Sequence, residues 1–302
     1  MSLSRHRFAV FTALWTFFVI IAGGTVTSTG SGLSVPDWPL SFGKLMPPMV
    51  GGVFFEHGHR MVAATAGLLM VCLCIWTARE ETRAGVRTLG YALVGTVIAQ
   101  GLLGGLTVLL RLPPAVSSTH AAIAQLTFCL TITMALVTSP SWRKAGPVLA
   151  DARLSLLAPL TTAAVYLQII VGAVVRHTEA GLSIPDFPLC FGSLFPTPDT
   201  WTPAVLVDFA HRGIGATVVS CLVLLLVGRV LWRHRDEPGL VRLAWLLTAL
   251  VVTQIILGGC IIWTGRMVPV TVAHVATGAL ILGTSLLITL RVYRLSHQEL
   301  AS

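Results

Sequence analysis

Apolar residues along the chain gather into eight long runs, at about 8–28, 55–77, 89–110, 118–137, 155–175, 208–231, 242–263 and 269–291. A helix needs about 20 mostly apolar residues to cross the hydrocarbon core of a bilayer. Each run meets that length, so the pattern predicts eight membrane-spanning helices. The first run follows Ser4-Arg5-His6-Arg7, a basic start that a secretory signal also has. Its apolar stretch exceeds a signal core and has a counterpart at 155–175, so it is read as a span.

The polar positions between the runs repeat. Gly32-Leu33-Ser34-Val35-Pro36-Asp37-Trp38-Pro39-Leu40-Ser41-Phe42-Gly43 matches Gly181-Leu182-Ser183-Ile184-Pro185-Asp186-Phe187-Pro188-Leu189-Cys190-Phe191-Gly192. Glu56-His57-Gly58-His59-Arg60 matches Asp208-Phe209-Ala210-His211-Arg212, and Gln100 precedes His120 as Gln254 precedes His274. Each half holds four spans, an even number, so the copies share one orientation and their relating axis runs along the membrane normal. The expected fold is an all-α integral membrane protein, its eight transmembrane helices arranged as two tandem pseudo-symmetric four-helix bundles. The bundles span 1–140 and 155–302, with a cytoplasmic linker at 141–154.

Charge sets the orientation. Of 20 Lys and Arg residues, Lys44, Arg60, Arg111, Arg176, Arg212 and Arg266 lie at one set of helix ends. The other 14, including Lys144, lie at the opposite ends or in the termini. Basic residues mark the cytoplasmic side, which places both termini in the cytoplasm and the turn-rich connections at about 30–54 and 178–207 outside. The chain is 55% hydrophobic and 11% charged, against about 25% charged in a soluble domain. That excludes a soluble protein. It also excludes a nucleic-acid binder despite the formal +8, because Lys is nearly absent and the arginines are scattered between apolar runs.

Ionisable groups at membrane depth are costly and point to function. His59, His120, His211 and His274 obey the repeat, each near the outer end of an even-numbered span. One such histidine could be a helix cap or an interhelical hydrogen bond; four at matching depth, two per bundle, suit six-coordinate haem iron between helices. Gly23-Gly24, Gly104-Gly105 and Gly258-Gly259 would admit a flat macrocycle, or serve close helix packing. A structural zinc site wants four ligands, usually with cysteine. A di-iron bundle wants several glutamates, and only Glu56 and Asp208 are acidic within the spans. His6, His57, His177, His234 and His297 have no repeat partner and read as loop or terminal residues, His57 as an interfacial polar one.

Glu56 and Asp208 stand three residues before a histidine, on its helix face. Such an acid can exchange protons beside a porphyrin, pair with Arg60 or Arg212, or cap the helix. The arginines could instead bind haem propionates. The Pro-Asp-aromatic-Pro segments read as structural, with the aromatic ring at the membrane interface. Cys72, Cys74, Cys129, Cys221 and Cys260 read as buried apolar fillers.

Thr29-Gly30-Ser31-Gly32-Leu33 leading into Pro36-Asp37-Trp38-Pro39, then Glu56-x-x-His59-Arg60, His120, His211-Arg212 and His274, resemble the haem A synthase family over essentially the whole chain. The resemblance implies an oxidoreductase that converts a methyl group of haem O to the formyl group of haem A by successive hydroxylations. His59 and His120 would flank the substrate haem, His211 and His274 would ligate a resident haem b acting as electron relay, and Glu56 would be catalytic. Arg60, Arg212 and Asp208 would act on haem propionates or behind the ligands. The implied partners are haem O, a membrane electron donor, and haem O synthase or terminal oxidase assembly factors; a homo-oligomer is compatible. The implied location is the cell inner (plasma) membrane. Some members carry a cysteine pair in the first outer loop; here Val35 and Ser41 stand at those positions, and Cys190 alone remains in the second. On the histidine pattern alone, a di-haem cytochrome that only moves electrons fits equally well, and a transporter built from parallel repeats fits less well.

Overall fold

The computed structural model describes residues 3–143 and 149–296; Lys144 and His297 lie outside them. Eight long helices occur where the apolar runs predict them: α1 Leu3–Ser28, α2 Gly52–Glu80, α3 Ala84–Leu109, α4 Pro114–Val137, α5 Ala152–His177, α6 Pro203–Arg233, α7 Pro238–Trp263 and α8 Val268–Ser296. All eight are long and apolar enough to cross a membrane. Most extend a few residues past the apolar runs at one or both ends, because a helix continues through polar residues once it reaches the headgroups. Proline opens α4, α6 and α7, where its missing N–H costs no helical bond. The described residues contain no strand, only isolated bridges at Ser41–Lys44 and Cys190–Ser193.

Two compact units result: Met1–Trp142 with Thr271–Ala276, and Arg143–Val270 with Thr277–Ser302. In the first, α1 packs on α2, α2 on α3, α3 on α4, and α4 back on α1, which closes a four-helix ring. Ala9, Ala66, Met70, Leu73, Leu93 and Met134 fill its core. Polar contacts tie the ring across helices: Trp15 Nε1 donates to the Val62 carbonyl (3.0 Å) and His6 Nδ1 to that of Ala135 (3.0 Å). In the second, α5 packs on α6 and α6 on α7. Thr162 and Thr289 share a 2.8 Å hydrogen bond between α5 and α8. α1 is a packed member of its bundle.

Two expectations change here. His6 and His57 lie inside helices and His177 ends one; helix continues through these polar positions because their side chains find partners there or face headgroups. Cys72 and Cys221 are exposed on their helices, since a thiol facing hydrocarbon loses nothing by leaving the core. All six cysteines are free.

Arg5, expected only as an orientation signal, is buried against Glu81 at 2.7 Å. Glu81 also receives Arg83, whose Nη2 donates to the Val137 carbonyl at 3.1 Å. One carboxylate thus ties α1, the α2–α3 turn and α4. Hydrogen bonds from Arg83, opposed by burial and helped by the Arg5 charge, hold the Glu81 carboxyl at about 2. Removing one partner of a buried pair strands the other charge. Glu81→Gln should therefore cost about 3 kcal/mol in thermal or denaturant unfolding of the detergent-solubilised chain. A folded value below the ordinary 4.5 means that this contribution is complete above pH 4.5 and is lost as the pH falls towards about 2. Glu81→Gln should lack that acid step.

Candidate functional site

The outer loop of the first bundle is built around Asp37. Its carboxylate accepts the backbone N–H groups of Phe42 (2.7 Å) and Gly43 (2.8 Å), while Ser41 and Lys44 exchange backbone hydrogen bonds at 2.9 and 3.0 Å. Phe42 and Gly43 both have positive φ, 53° and 67°, as a type I′ hairpin turn requires. The second loop repeats this with Asp186 accepting from Phe191 (2.8 Å) and Gly192 (2.7 Å). Donation from Gly43 and Phe42 holds the Asp37 carboxyl below its usual value. Donation from Gly192 does the same for Asp186, against burial and with Phe191.

An arginine from the following helix then fastens each loop. Arg60 donates to the carbonyls of Asp37 (2.7 Å), Leu40 (3.1 Å) and Val35 (3.1 Å). Arg212 donates to those of Ile184 (3.1 Å), Leu189 (2.6 Å) and Asp186. Both guanidinium groups are engaged with loop backbone, so their immediate work is to hold the loop.

The fastened loop delivers its aromatic residue to a glycine. An added Cβ on Gly105 would lie 2.6 Å from the Trp38 ring, and one on Gly259 would lie 2.9 Å from the Phe187 ring. The Pro-Asp-aromatic-Pro ring packs on the end of α3 or α7, where a bare glycine backbone leaves space for it. Arg212 also lies 5.8 Å from the Phe187 ring centroid, within cation–π range.

The histidines use the same device. The His59 ring edge sits against Gly23, that of His120 against Gly104, and that of His211 against Gly172, where an added Cβ would lie 3.1, 3.4 and 2.7 Å from the respective Cε1 atoms. Gly23 and Gly104 thus serve as seats for histidine rings. Gly172 was not singled out in the sequence, yet it stands in the register that links Gly32 to Gly181, so the repeat carried its signal. His59, His120, His211 and His274 lie about two turns inside α2, α4, α6 and α8. All four are half-buried, and in all four Nδ1 is inaccessible. Gln100 donates to the His120 carbonyl at 2.9 Å and Gln168 to the His211 carbonyl at 2.7 Å. His211 further sits in a π-helical turn, Ala210–Gly215, a distortion frequent at functional sites.

The acids are buried, at 4% exposure each. Glu56 accepts from the Val35 N–H at 2.7 Å and from Arg60 at 2.6 Å, so both oxygens are engaged. Asp208, one methylene shorter, accepts the Ile184 N–H at 3.2 Å. His57 is buried rather than interfacial, and its Nδ1 shares a 2.8 Å hydrogen bond with Ser41. At the matching place in the second half stand Cys190 and Phe209, part of an apolar cluster with Ile184 and Val205. Burial raises the Cys190 thiol.

Among the described residues no group of three or more His, Cys, Asp or Glu gathers to hold a bare metal ion. His59, His120 and His211, seated on glycine with Nδ1 inaccessible, are separate single donors that would suit a prosthetic group carrying its own metal.

The chain is 29% identical over 297 residues to a heme A synthase of Alkalihalophilus pseudofirmus, covering 96% of this chain and 98% of that one. It is 32% identical over 265 residues to a heme A synthase of Shouchella clausii, covering 85% and 86%. A heme A synthase of Bacillus cereus is 28% identical over 274 residues, covering 88% and 86%. A family model described as cytochrome oxidase assembly protein (COX15-CtaA) matches residues 6–51 and 50–286. With nearly every span and both histidine-bearing halves inside that match, the chain belongs to the COX15-CtaA family of cytochrome oxidase assembly proteins.

Proposed function

We propose that the chain is a haem A synthase of the cell inner membrane, with both termini cytoplasmic. It takes haem O as substrate in the 1–140 half and carries haem b in the 155–302 half. The observation that supports this most is the set of four half-buried histidines at matching depth in a chain whose relatives bear the name heme A synthase. The overall change at the substrate is a four-electron oxidation of the methyl carbon: two hydroxylations, each with an external oxidant taking up two electrons, give hydroxymethyl and then the hydrated aldehyde, which loses water to leave the formyl group. This is oxidation at a CH group.

His59 and His120 present one ring nitrogen each to the substrate haem. Nδ1 of His59 is buried and makes no hydrogen bond, which leaves Nε2 as the nitrogen available to iron. His211 and His274 hold haem b, and haem b supplies a one-electron redox centre when bound. Gly23, Gly104 and Gly172 let the rings of His59, His120 and His211 lie against helix backbone, so their direction is set before anything binds. Glu56 is the carboxylate that handles protons at the substrate, on the helix face that carries His59. Arg60 and the Val35 N–H fix its two oxygens, and the loop they anchor covers that end of α2. A cytochrome that only transfers electrons would need the histidines but no such acid.

Co-expression with a haem O supply should yield haem A in chromatography of the extracted haems. An extract holding only haem B and unchanged haem O would sink the synthase reading. His211→Ala or His274→Ala should remove the low-spin signal of bis-histidine haem b from the absorption and electron paramagnetic resonance spectra. Persistence of that signal in both variants would overturn the ligand assignment. Glu56→Gln can still accept from Val35 and so keeps the loop in place. It should retain bound haem while haem A formation falls by about 100-fold or more, the size of a lost proton-transfer group. Turnover at the wild-type rate would reduce Glu56 to an anchor.

A further inference from the structure

A cavity of about 320 Å³ opens between the start of α5 and the end of α6, away from the histidines. On α5, Arg153 and Leu157 are one turn apart and face it; on α6, the row Leu224, Gly228 and Trp232 forms its other wall, with Arg233 beside them. These side chains leave the groove unfilled. Leu224 is 69% exposed and Trp232 84%, and a Cβ added to Gly228 would meet nothing within 4 Å.

The charge in the groove is uneven. Arg229, which also lines it, is committed to Asp151 through bonds of 2.9 and 3.1 Å, and His234 approaches the same carboxylate at 2.7 Å. Burial works to raise Asp151, but those bonds and the Leu154 N–H hold it well below the usual carboxylate range. Arg229 and Asp151 therefore cancel. Arg153 and Arg233 are exposed and make no ion pair among the described residues. Asp236 and Glu237 follow in the next turn, and neither lines the groove.

We propose that this groove binds an anionic phospholipid, its phosphate between Arg153 and Arg233 and one acyl chain along Leu157, Leu224 and Trp232 over the bare backbone of Gly228. The ligand must satisfy two unpaired cations and an apolar trough at once, at the end of a membrane-spanning helix pair. A free phosphate uses only the cations, and a zwitterionic lipid uses mainly the trough. Basic pockets between spans that recognise anionic headgroups follow the same electrostatics, and a tryptophan at a span end suits the headgroup level. The inference is independent of the haem reading.

The test uses the purified full chain, with melting temperature and co-extracted lipid as readouts. The chain in phosphatidylglycerol nanodiscs should melt several degrees higher than in phosphatidylcholine nanodiscs, and detergent-purified chain should retain phosphatidylglycerol preferentially. Arg153→Gln and Arg233→Gln should each weaken that retention about fivefold, the change expected when one basic residue leaves an anionic lipid surface. Gly228→Leu puts its Cβ in open space and its side chain in the trough, and it favours helix. Whatever its melting temperature in phosphatidylcholine, that variant should show no further increment in phosphatidylglycerol. Equal melting in the two lipids, an undiminished increment in Gly228→Leu, or the same increment from inorganic phosphate in detergent would each overturn the proposal.

Discussion

A guanidinium group spread over loop carbonyls is the interaction on which the outer face of each bundle depends. A loop that must lie across helix ends exposes carbonyls that no helix satisfies. Arg60 gathers three of them, and Arg212 gathers three at the corresponding positions. Everything further out follows from that attachment. The loop is held so that Trp38 reaches Gly105, one residue along from Gly104, where His120 is seated. The Val35 N–H is brought to Glu56 by the same backbone. Loop, acid and histidine seat thus share neighbouring positions: Arg60 and the Val35 N–H hold Glu56, and the loop's Trp38 rests on the glycine beside the one that seats His120.

The opposite ends are fastened by a different logic. In the first unit a single carboxylate, Glu81, gathers Arg5 and Arg83 where almost no water reaches it. In the second unit Asp151 gathers Arg229 and His234 while also capping α5 through the Leu154 N–H. Both place an acid where the basic bias of that side would otherwise be uncompensated. Sequence charge counts treat these arginines as signals of orientation. Several of them are also fasteners, and a residue can be both because its charge sits at the helix end either way.

The spans were legible because hydrocarbon thickness imposes a length that composition reveals directly, and the paired histidines because duplication picks them out of an apolar background. What escaped notice were properties that exist only after the chain closes. Nothing in the sequence marks His57 as buried, since its reason is a hydroxyl 16 residues upstream in a loop that only Arg60 and Asp37 hold in place. Trp38 read as an interfacial ring because a tryptophan beside a proline near a span end usually is one; its seat on Gly105 requires knowing which helix the loop crosses. The glycine pairs allowed two readings, a macrocycle or helix packing, and the structure supplies a third, side-chain rings on bare backbone. Cys72 and Cys221 could not be placed by spacing, because in a membrane the outward face of a helix is as apolar as the inward one.

The two halves share their loop clamps and two of their histidine seats and differ in what lies beneath the loops. His59 and His211 lean on glycines in the same register, and Arg60 and Arg212 hold the same three carbonyl positions. Beneath those shared contacts the first half buries a hydrogen-bonded pair, Ser41 and His57, and the second buries an apolar pair, Cys190 and Phe209. A closure made of apolar area is lost only by exposing that area to water. The polar pair exchanges its one contact for water at little net cost, which leaves the Arg60 bonds to hold that loop. The two loops are thus fastened alike by an arginine and diverge at two buried positions, Ser41/Cys190 and His57/Phe209, so duplication has kept the backbone clamp and changed what is packed beneath it.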